Sequence, residues 1–141
     1  MKFTMRKALG VAAAVTALTV ALPSPAMASD SYHVMNTGDA FGGGIFDYSG
    51  EAYFTEHGDI LKICDTDADG YAVKMFVSLD DAYGAPLYEF SRSGEGNCAT
   101  HQASEGGAYN LPENRYIGFL FCRWKDGHDS ECRAFRFYND Y

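Results

Sequence analysis

The segment RYIGFLFCRWKDGHDSECRAFRFY, residues 115–138, decides the fold class. Two strand-like runs, 115–124 and 132–138, flank a polar turn that contains an Asp-Gly pair, which is the pattern of a β-hairpin. Both faces of the first run are apolar, one carrying Ile117, Phe119 and Phe121 and the other Tyr116, Leu120 and Trp124. We therefore expect this strand at the centre of a sheet, or covered on one face by another part of the molecule.

The hairpin also places two cysteines opposite each other. The chain has four cysteines, and an even number predicts two disulfides where a protein folds in an oxidising compartment. Four cysteines allow three pairings, but a hairpin brings Cys122 and Cys132 together, so Cys64 is expected to pair with Cys98. In the loop-entropy model the longer of the two closures stabilises the fold by roughly 3–4 kcal/mol.

The rest of the chain from Glu51 onwards consists of short β-type runs separated by turn residues. The run 71–79 alternates cleanly, with Tyr71, Val73, Met75, Val77 and Leu79 on one face. A further short strand is predicted at 108–111, and no window shows helical periodicity. This pattern predicts an all-β fold with two disulfides, an antiparallel β-sandwich or barrel, over residues 51–141.

The N-terminal residues have the pattern of an export signal. Lys2, Arg6 and Lys7 precede the apolar run 9–22, and Ala-Met-Ala at 26–28 is a small-x-small cleavage pattern. The run is short for a membrane span. We therefore predict a signal peptide over 1–28 and a secreted, extracellular protein that begins at Ser29.

The charge of the predicted mature chain restricts its partners. Removing residues 1–28 leaves eight basic against 19 acidic residues, a net charge of −11. Nucleic acids and anionic membrane surfaces would be repelled by such a field, so neither is expected as a partner. A basic protein or a cation would be attracted.

Residues 29–50 differ in composition from the rest. They contain five glycines among scattered apolar residues, which predicts an extended N-terminal arm that precedes the stapled domain. Such an arm binds partners by adding a strand or filling a cleft. The residues predicted to contact a partner are Val34, Met35, Phe41, Ile45 and Phe46.

The string DTDADG at 65–70 matches the first half of a calcium-binding loop. Asp65, Asp67 and Asp69 would be the ligands, with Gly70 at the sharp turn. The match then stops, because the twelfth position is Phe76 and the flanking residues read as strands. A structural turn is the expectation, the three aspartates are kept as candidate calcium ligands, and no other metal site or cofactor is predicted.

No catalytic constellation is evident. The sequence lacks G-x-S-x-G, and a glycosidase pair drawn from Glu51, Glu56 and Asp59 is the kind of coincidence that an acid-rich chain always offers. The histidines show no ligand spacing and are expected in loops: His33, His57, His101 and His128. The protein is therefore predicted not to be an enzyme.

The residues 58–65 followed by 68–73 resemble the layout of small exported two-disulfide proteins of actinobacteria such as Streptomyces. In that layout a cysteine ends a strand, an Asp-Gly turn follows, and a later hairpin carries two more cysteines. The resemblance implies an immunoglobulin-like sandwich. One group of this plan is the adaptor subunit of secreted umbrella-shaped antibacterial toxin particles, whose N-terminal arm inserts into one subunit while the globular part docks another.

These observations predict a secreted, non-enzymatic protein-interaction module that binds other secreted proteins through its arm and domain surface. An adaptor in a toxin complex is the specific form of this prediction. Two alternatives are a peptidase inhibitor that presents the loop around Cys98, and a carbohydrate or cell-wall binder that uses Trp124 and Tyr83.

Overall fold

A computed structural model of the chain describes residues 31–38 and 48–140. The predicted signal peptide, residues 1–28, lies outside the described residues. So do Phe41, Ile45 and Phe46, three of the predicted partner-binding residues.

The described residues form eight β-strands and two short 3₁₀ turns. The strands are β1 (Tyr32–Asn36), β2 (Gly50–Thr55), β3 (Ile60–Asp65), β4 (Ala72–Leu79), β5 (Pro86–Ser93), β6 (Cys98–His101), β7 (Arg115–Lys125) and β8 (His128–Asn139). The 3₁₀ turns are Ala103–Glu105 and Gly107–Tyr109. No helix among the described residues is long and apolar enough to cross a membrane.

The strands form two antiparallel sheets of four strands each. The first sheet has the order β1-β2-β3-β6, and the second has the order β5-β4-β7-β8. The all-β sandwich predicted from the sequence is therefore confirmed. The second sheet matches strands C′-C-F-G of an immunoglobulin sandwich, and β2-β3-β6 matches A-B-E. β7 lies between β4 and β8, so the strand with two apolar faces is central, as its pattern predicted.

The core lies between the inward faces of the two sheets. Phe54 on β2 and Phe119 on β7 meet there, with their ring centroids 4.9 Å apart. Twelve buried apolar residues form the cluster: Met35, Ala52, Phe54, Leu61, Ile63, Val73, Met75, Val77, Leu111, Ile117, Phe119 and Phe121. The alternating run on β4 contributes its inward face to this cluster, as period-two patterning requires.

Both predicted disulfides form. Cys64 on β3 is bonded to Cys98 on β6, and Cys122 on β7 is bonded to Cys132 on β8. Each bond joins neighbouring strands of one sheet, whereas the disulfide of an antibody domain joins the two sheets. Apart from the main-chain connections, the packing of one sheet on the other is therefore non-covalent in the described residues.

The structure places part of the predicted arm inside the domain. Residues 32–36 form β1, which pairs antiparallel with β2 from Tyr32 opposite Thr55 to Asn36 opposite Glu51. Met35 is 1% exposed and belongs to the core. The prediction of an arm over 29–50 does not hold for these residues, because burial of Met35 and pairing with β2 incorporate them into the first sheet.

The segment 102–114 closes one end of the sandwich without forming the strand predicted at 108–111. It contains the two 3₁₀ turns, and then Leu111 inserts into the core. Asp59 holds this insertion, since its carboxylate accepts hydrogen bonds from the Leu111 N–H at 2.8 Å and from Asn139 Nδ2 at 3.0 Å. The Leu111 N–H, which would bond to a neighbouring strand if this segment were a strand, thus bonds to the side chain of Asp59, 52 residues away in sequence.

Gly50 allows the two sheets to approach closely at the start of β2. A Cβ at this position would lie 2.2 Å from Val73 Cγ1 and 3.1 Å from Phe121 Cζ. We expect Gly50→Ala to lower the free energy of unfolding by about 1–3 kcal/mol, because overpacking a filled core forces neighbours out of position. Urea unfolding followed by circular dichroism measures the loss.

The double variant Gly50→Ala with Val73→Ala tests the cause. Since Val73→Ala removes the methyl group that the added Cβ would strike, the loss in the double variant should be smaller than the sum of the two single losses. Strict additivity would show that the close approach is not the reason for glycine.

Candidate functional site

The outer edge of β1 presents main-chain groups that its neighbour does not use. The Thr37 N–H donates to the Gly50 carbonyl at 3.1 Å, so the odd-numbered residues of this segment face β2. In an antiparallel ladder alternate residues face opposite sides. The N–H and C=O groups of Tyr32 and Val34 therefore point away from β2, and no main-chain partner for them exists among the described residues.

Just beyond this edge the chain approaches the second sheet. The Gly38 N–H, which has the same orientation as that of Val34, donates to the Glu131 carbonyl at 2.7 Å. The Arg133 guanidinium also donates to the Asn36 side-chain oxygen. These contacts anchor the C-terminal end of β1 against β8 and leave the Tyr32 and Val34 portion as the exposed edge.

The side chains next to this edge form an exposed, partly apolar face. Tyr32 is 59% exposed and Val34 is 56% exposed. We define the docking face as the outward side chains of the first sheet beside this edge, namely Tyr32, Val34, Tyr53, Ile60 and Lys62. A shallow groove of about 360 Å³ runs across the face.

Aromatic and charged groups order the docking face. The rings of Tyr32 and Tyr53 stack with centroids 5.9 Å apart and planes 21° apart, and Lys62 Nζ lies 5.9 Å from the Tyr53 centroid. The Tyr53 hydroxyl donates to Glu51 Oε2 at 2.6 Å, and this hydrogen bond raises the pKa of Tyr53 to about 12. Tyr53 is thus held neutral and oriented within the face.

The structure separates the partner-binding residues predicted from the sequence. Val34 lies on the docking face, but Met35 points to the opposite side and is buried, so its side chain is not available to a partner. Sequence reasoning missed Tyr32, Tyr53, Ile60 and Lys62. Their period-two spacing on β1, β2 and β3 was visible, but which strands are neighbours was not.

The inward neighbour of Val34 ties β1 to the rest of the sandwich. His33 Nε2 lies 2.6 Å from Glu56 Oε1, and the His33 ring stacks on Phe137 of β8 with centroids 3.9 Å apart. Glu56 is 3% exposed, and burial raises the pKa of its carboxyl group. Three histidines lie on strands, so the prediction that they lie in loops is wrong for His33, His101 and His128. Histidine occurs in strands as well as in turns, and residue type alone does not distinguish the two.

The candidate calcium ligands build a turn. Asp69 accepts hydrogen bonds from the Tyr71 N–H at 2.8 Å, the Ser49 hydroxyl at 2.9 Å and Arg123 at 2.6 Å. Although burial opposes its ionisation, these three donors lower the pKa of Asp69. Asp65 is buried and accepts from the Asp67 N–H. The described residues contain no group of three or more His, Cys, Asp or Glu side chains arranged to hold a metal ion.

The two aromatic residues considered for carbohydrate stacking lie far apart. Trp124 is opposite Ala72 at the start of β4, whereas Tyr83, 74% exposed, is in the loop after the end of β4. A strand of eight residues separates them, which is about 25 Å. They do not form one platform.

Comparison with protein-family models, with curated proteins and with solved structures finds no match for this chain. The fold class by itself does not indicate a function, since sandwiches of this kind carry many unrelated ones. A function can therefore be inferred only from the chain's own surface.

Buried carboxyl groups predict an unusual pH dependence of stability. Burial raises the pKa of Glu56, Asp59 and Asp65 above their ordinary values of 4.5, 3.8 and 3.8. The three carboxyl groups therefore bind their protons more tightly in the folded state than in the unfolded chain. The stability that this difference contributes is present at low pH and is lost as the pH rises through the raised pKa values. The pKa of Asp69 is lowered instead, so its contribution to stability is present at neutral pH and is lost only when the pH falls below about 4.

We expect the free energy of unfolding to decrease as the pH rises from about 4.5 towards neutrality. Guanidinium unfolding at a series of pH values measures the slope. Glu56→Gln should reduce the slope, whereas the exposed Glu95→Gln should leave it unchanged. An identical slope in Glu56→Gln and the parent protein would contradict the assignment to this buried group.

Proposed function

We propose that this protein is a secreted, non-enzymatic protein-interaction module that binds an extended, positively charged segment of a partner along the exposed edge of β1. The single observation that carries the proposal is the unpaired main-chain edge at Tyr32 and Val34, flanked by the docking face. We call this edge of β1 the docking edge. An extended segment would add a strand to the first sheet, which is a common mode of peptide recognition.

The edge has the features that strand addition requires. Natural edge strands are usually blocked by proline, by charged side chains or by a covering segment. Neither Tyr32 nor Val34 is proline or charged, and among residues 31–38 and 48–140 no segment covers their exposed side chains. Their two N–H and two C=O groups offer hydrogen bonds of about 0.5–1.5 kcal/mol each, and burial of the exposed apolar part of each side chain adds to this.

Charge selects the class of partner. The mature chain predicted from the export signal has a net charge of −11, so a basic segment is attracted at long range and an acidic segment is repelled. Two disulfides agree with folding in an oxidising compartment outside the cytoplasm. The adaptor of a secreted antibacterial particle, suggested by resemblance, would be one setting in which such a module links other secreted proteins.

A synthetic ten-residue peptide of alternating lysine and valine tests the docking edge, with an alternating glutamate and valine peptide as its control. We expect the basic peptide to slow hydrogen exchange of the Tyr32 and Val34 amides, measured by NMR, because these groups become hydrogen-bonded. Met35, whose N–H already faces β2, should change little. Absence of protection at Tyr32 and Val34 would overturn the proposal.

The variant Val34→Pro gives a sharper test. Proline removes the outward N–H without removing a hydrogen bond to β2, and edge strands tolerate proline at such positions. The variant should retain its unfolding midpoint within a few degrees and lose binding of the basic peptide. Tyr138→Ala, which removes an exposed ring from the second sheet, is the matched control and should bind normally. Unchanged binding by a folded Val34→Pro variant would contradict the docking edge.

Secretion has its own test. Expression of the whole chain in a bacterial host should yield an exported protein whose N-terminus, determined by mass spectrometry, is Ser29. Ala28→Arg should block this cleavage, because the peptidase requires a small residue there. Retention of the parent chain in the cytoplasm, uncleaved, would contradict the secretory part of the proposal.

A further inference from the structure

An open cleft of about 490 Å³ lies at the end of the sandwich where the β3–β4, β5–β6 and β7–β8 connections meet. The docking edge lies on β1, whereas none of the residues that line this cleft belongs to β1. Aromatic and charged side chains from all three connections line it, among them Asp65, Tyr71, Glu95, Trp124 and Asp126.

On one wall of the cleft, two basic side chains of this protein lie over the ring of Tyr71. The Arg123 guanidinium carbon lies 4.0 Å from the centroid of the Tyr71 ring, and Lys125 Nζ lies 4.8 Å from the same centroid. Arg123 is neutralised by Asp69 at 2.6 Å. Beside this wall Trp124 offers the larger ring, and tryptophan is the aromatic residue that binds cations best.

The charge of the lining is strongly negative. Asp65, Asp67, Glu95 and Asp126 oppose the single ammonium group of Lys125, a local excess of three negative charges. Asp65 is the unusual member, because it is only 1% exposed. The Asp67 N–H donates to its Oδ1 atom at 3.3 Å, whereas its Oδ2 atom has the backbone of Gly94 nearby but no partner of good hydrogen-bond geometry among the described residues. An unpartnered buried carboxylate oxygen is costly, and a donor brought by a ligand would offset that cost.

We infer that this cleft binds a cationic side chain, a guanidinium or an ammonium group, presented by a basic peptide. The group would lie on the Trp124 ring, with Asp67, Glu95 and Asp126 around it and Asp65 beneath as an acceptor. Arginine fits better than lysine, because its planar guanidinium both stacks on an aromatic ring and donates several hydrogen bonds in one plane. A metal ion fits less well, since the described carboxylates do not converge on one point.

Trp124 makes the test direct, because it is the one tryptophan in the whole sequence and its fluorescence reports this cleft alone. The probe is the peptide acetyl-Gly-Arg-Gly-amide. Its control contains citrulline, which has the shape of arginine without the charge. We expect a saturable change in Trp124 fluorescence with the arginine peptide, a weaker one with the corresponding lysine peptide, and none with citrulline. An equal response to citrulline, or to an uncharged chitin oligosaccharide, would overturn the inference.

Two double variants locate the effect. Asp67→Asn with Asp126→Asn removes two charges from the cleft, and should weaken binding of the arginine peptide by about five- to tenfold. Asp81→Asn with Glu113→Gln removes two charges elsewhere, and should weaken it by less than about twofold, because distant exposed charges are screened. Equal weakening in both would show that only net charge acts. Val34→Pro should not alter this binding, so a failure here and a failure of the docking edge are distinguishable.

Discussion

Burial of apolar side chains between the two sheets is the interaction on which the rest of the structure depends. Each disulfide joins strands of one sheet, so within the described residues only the main-chain connections join the two sheets covalently. That task falls to the inward faces of the strands, with Phe54 and Phe119 at their meeting point. Full burial of such a side chain contributes about 1.5–3 kcal/mol, and Gly50 keeps the two layers close enough to exclude water.

The way the core is filled determines which surfaces remain for a partner. Met35 and His33 face inwards and fasten β1 to both sheets, and in consequence Tyr32 and Val34 face outwards. The same alternation directs the main-chain groups of these two residues to the open side. β1 is the terminal strand of the first sheet, so one of its edges is open among the described residues, and the pairing of its odd-numbered residues with β2 places the main-chain groups of Tyr32 and Val34 on that edge. The proposed docking function uses these unpaired groups.

The two surface regions differ in chemistry. The docking edge offers main-chain donors and acceptors beside stacked tyrosines, so it suits an extended segment whose side chains matter less than its backbone. The end cleft offers a tryptophan ring among carboxylates, so it suits one cationic side chain. The basic partner that we propose would engage both regions, and the acidic composition of the chain would attract it at a distance.

The sequence by itself determined the features that depend on neighbouring residues. Alternation identified β4 and the last hairpin, and the hairpin placed Cys122 opposite Cys132, which left Cys64 for Cys98. Only the tertiary structure decided that β1 belongs to the first sheet, that Leu111 fills the core, and that Asp69 pairs with Arg123. These outcomes rest on contacts between residues 15 to 54 positions apart, from Asn36 opposite Glu51 to Asp69 with Arg123. Local pattern records which side of a strand is apolar, but the neighbour that a strand acquires follows from packing of the whole chain.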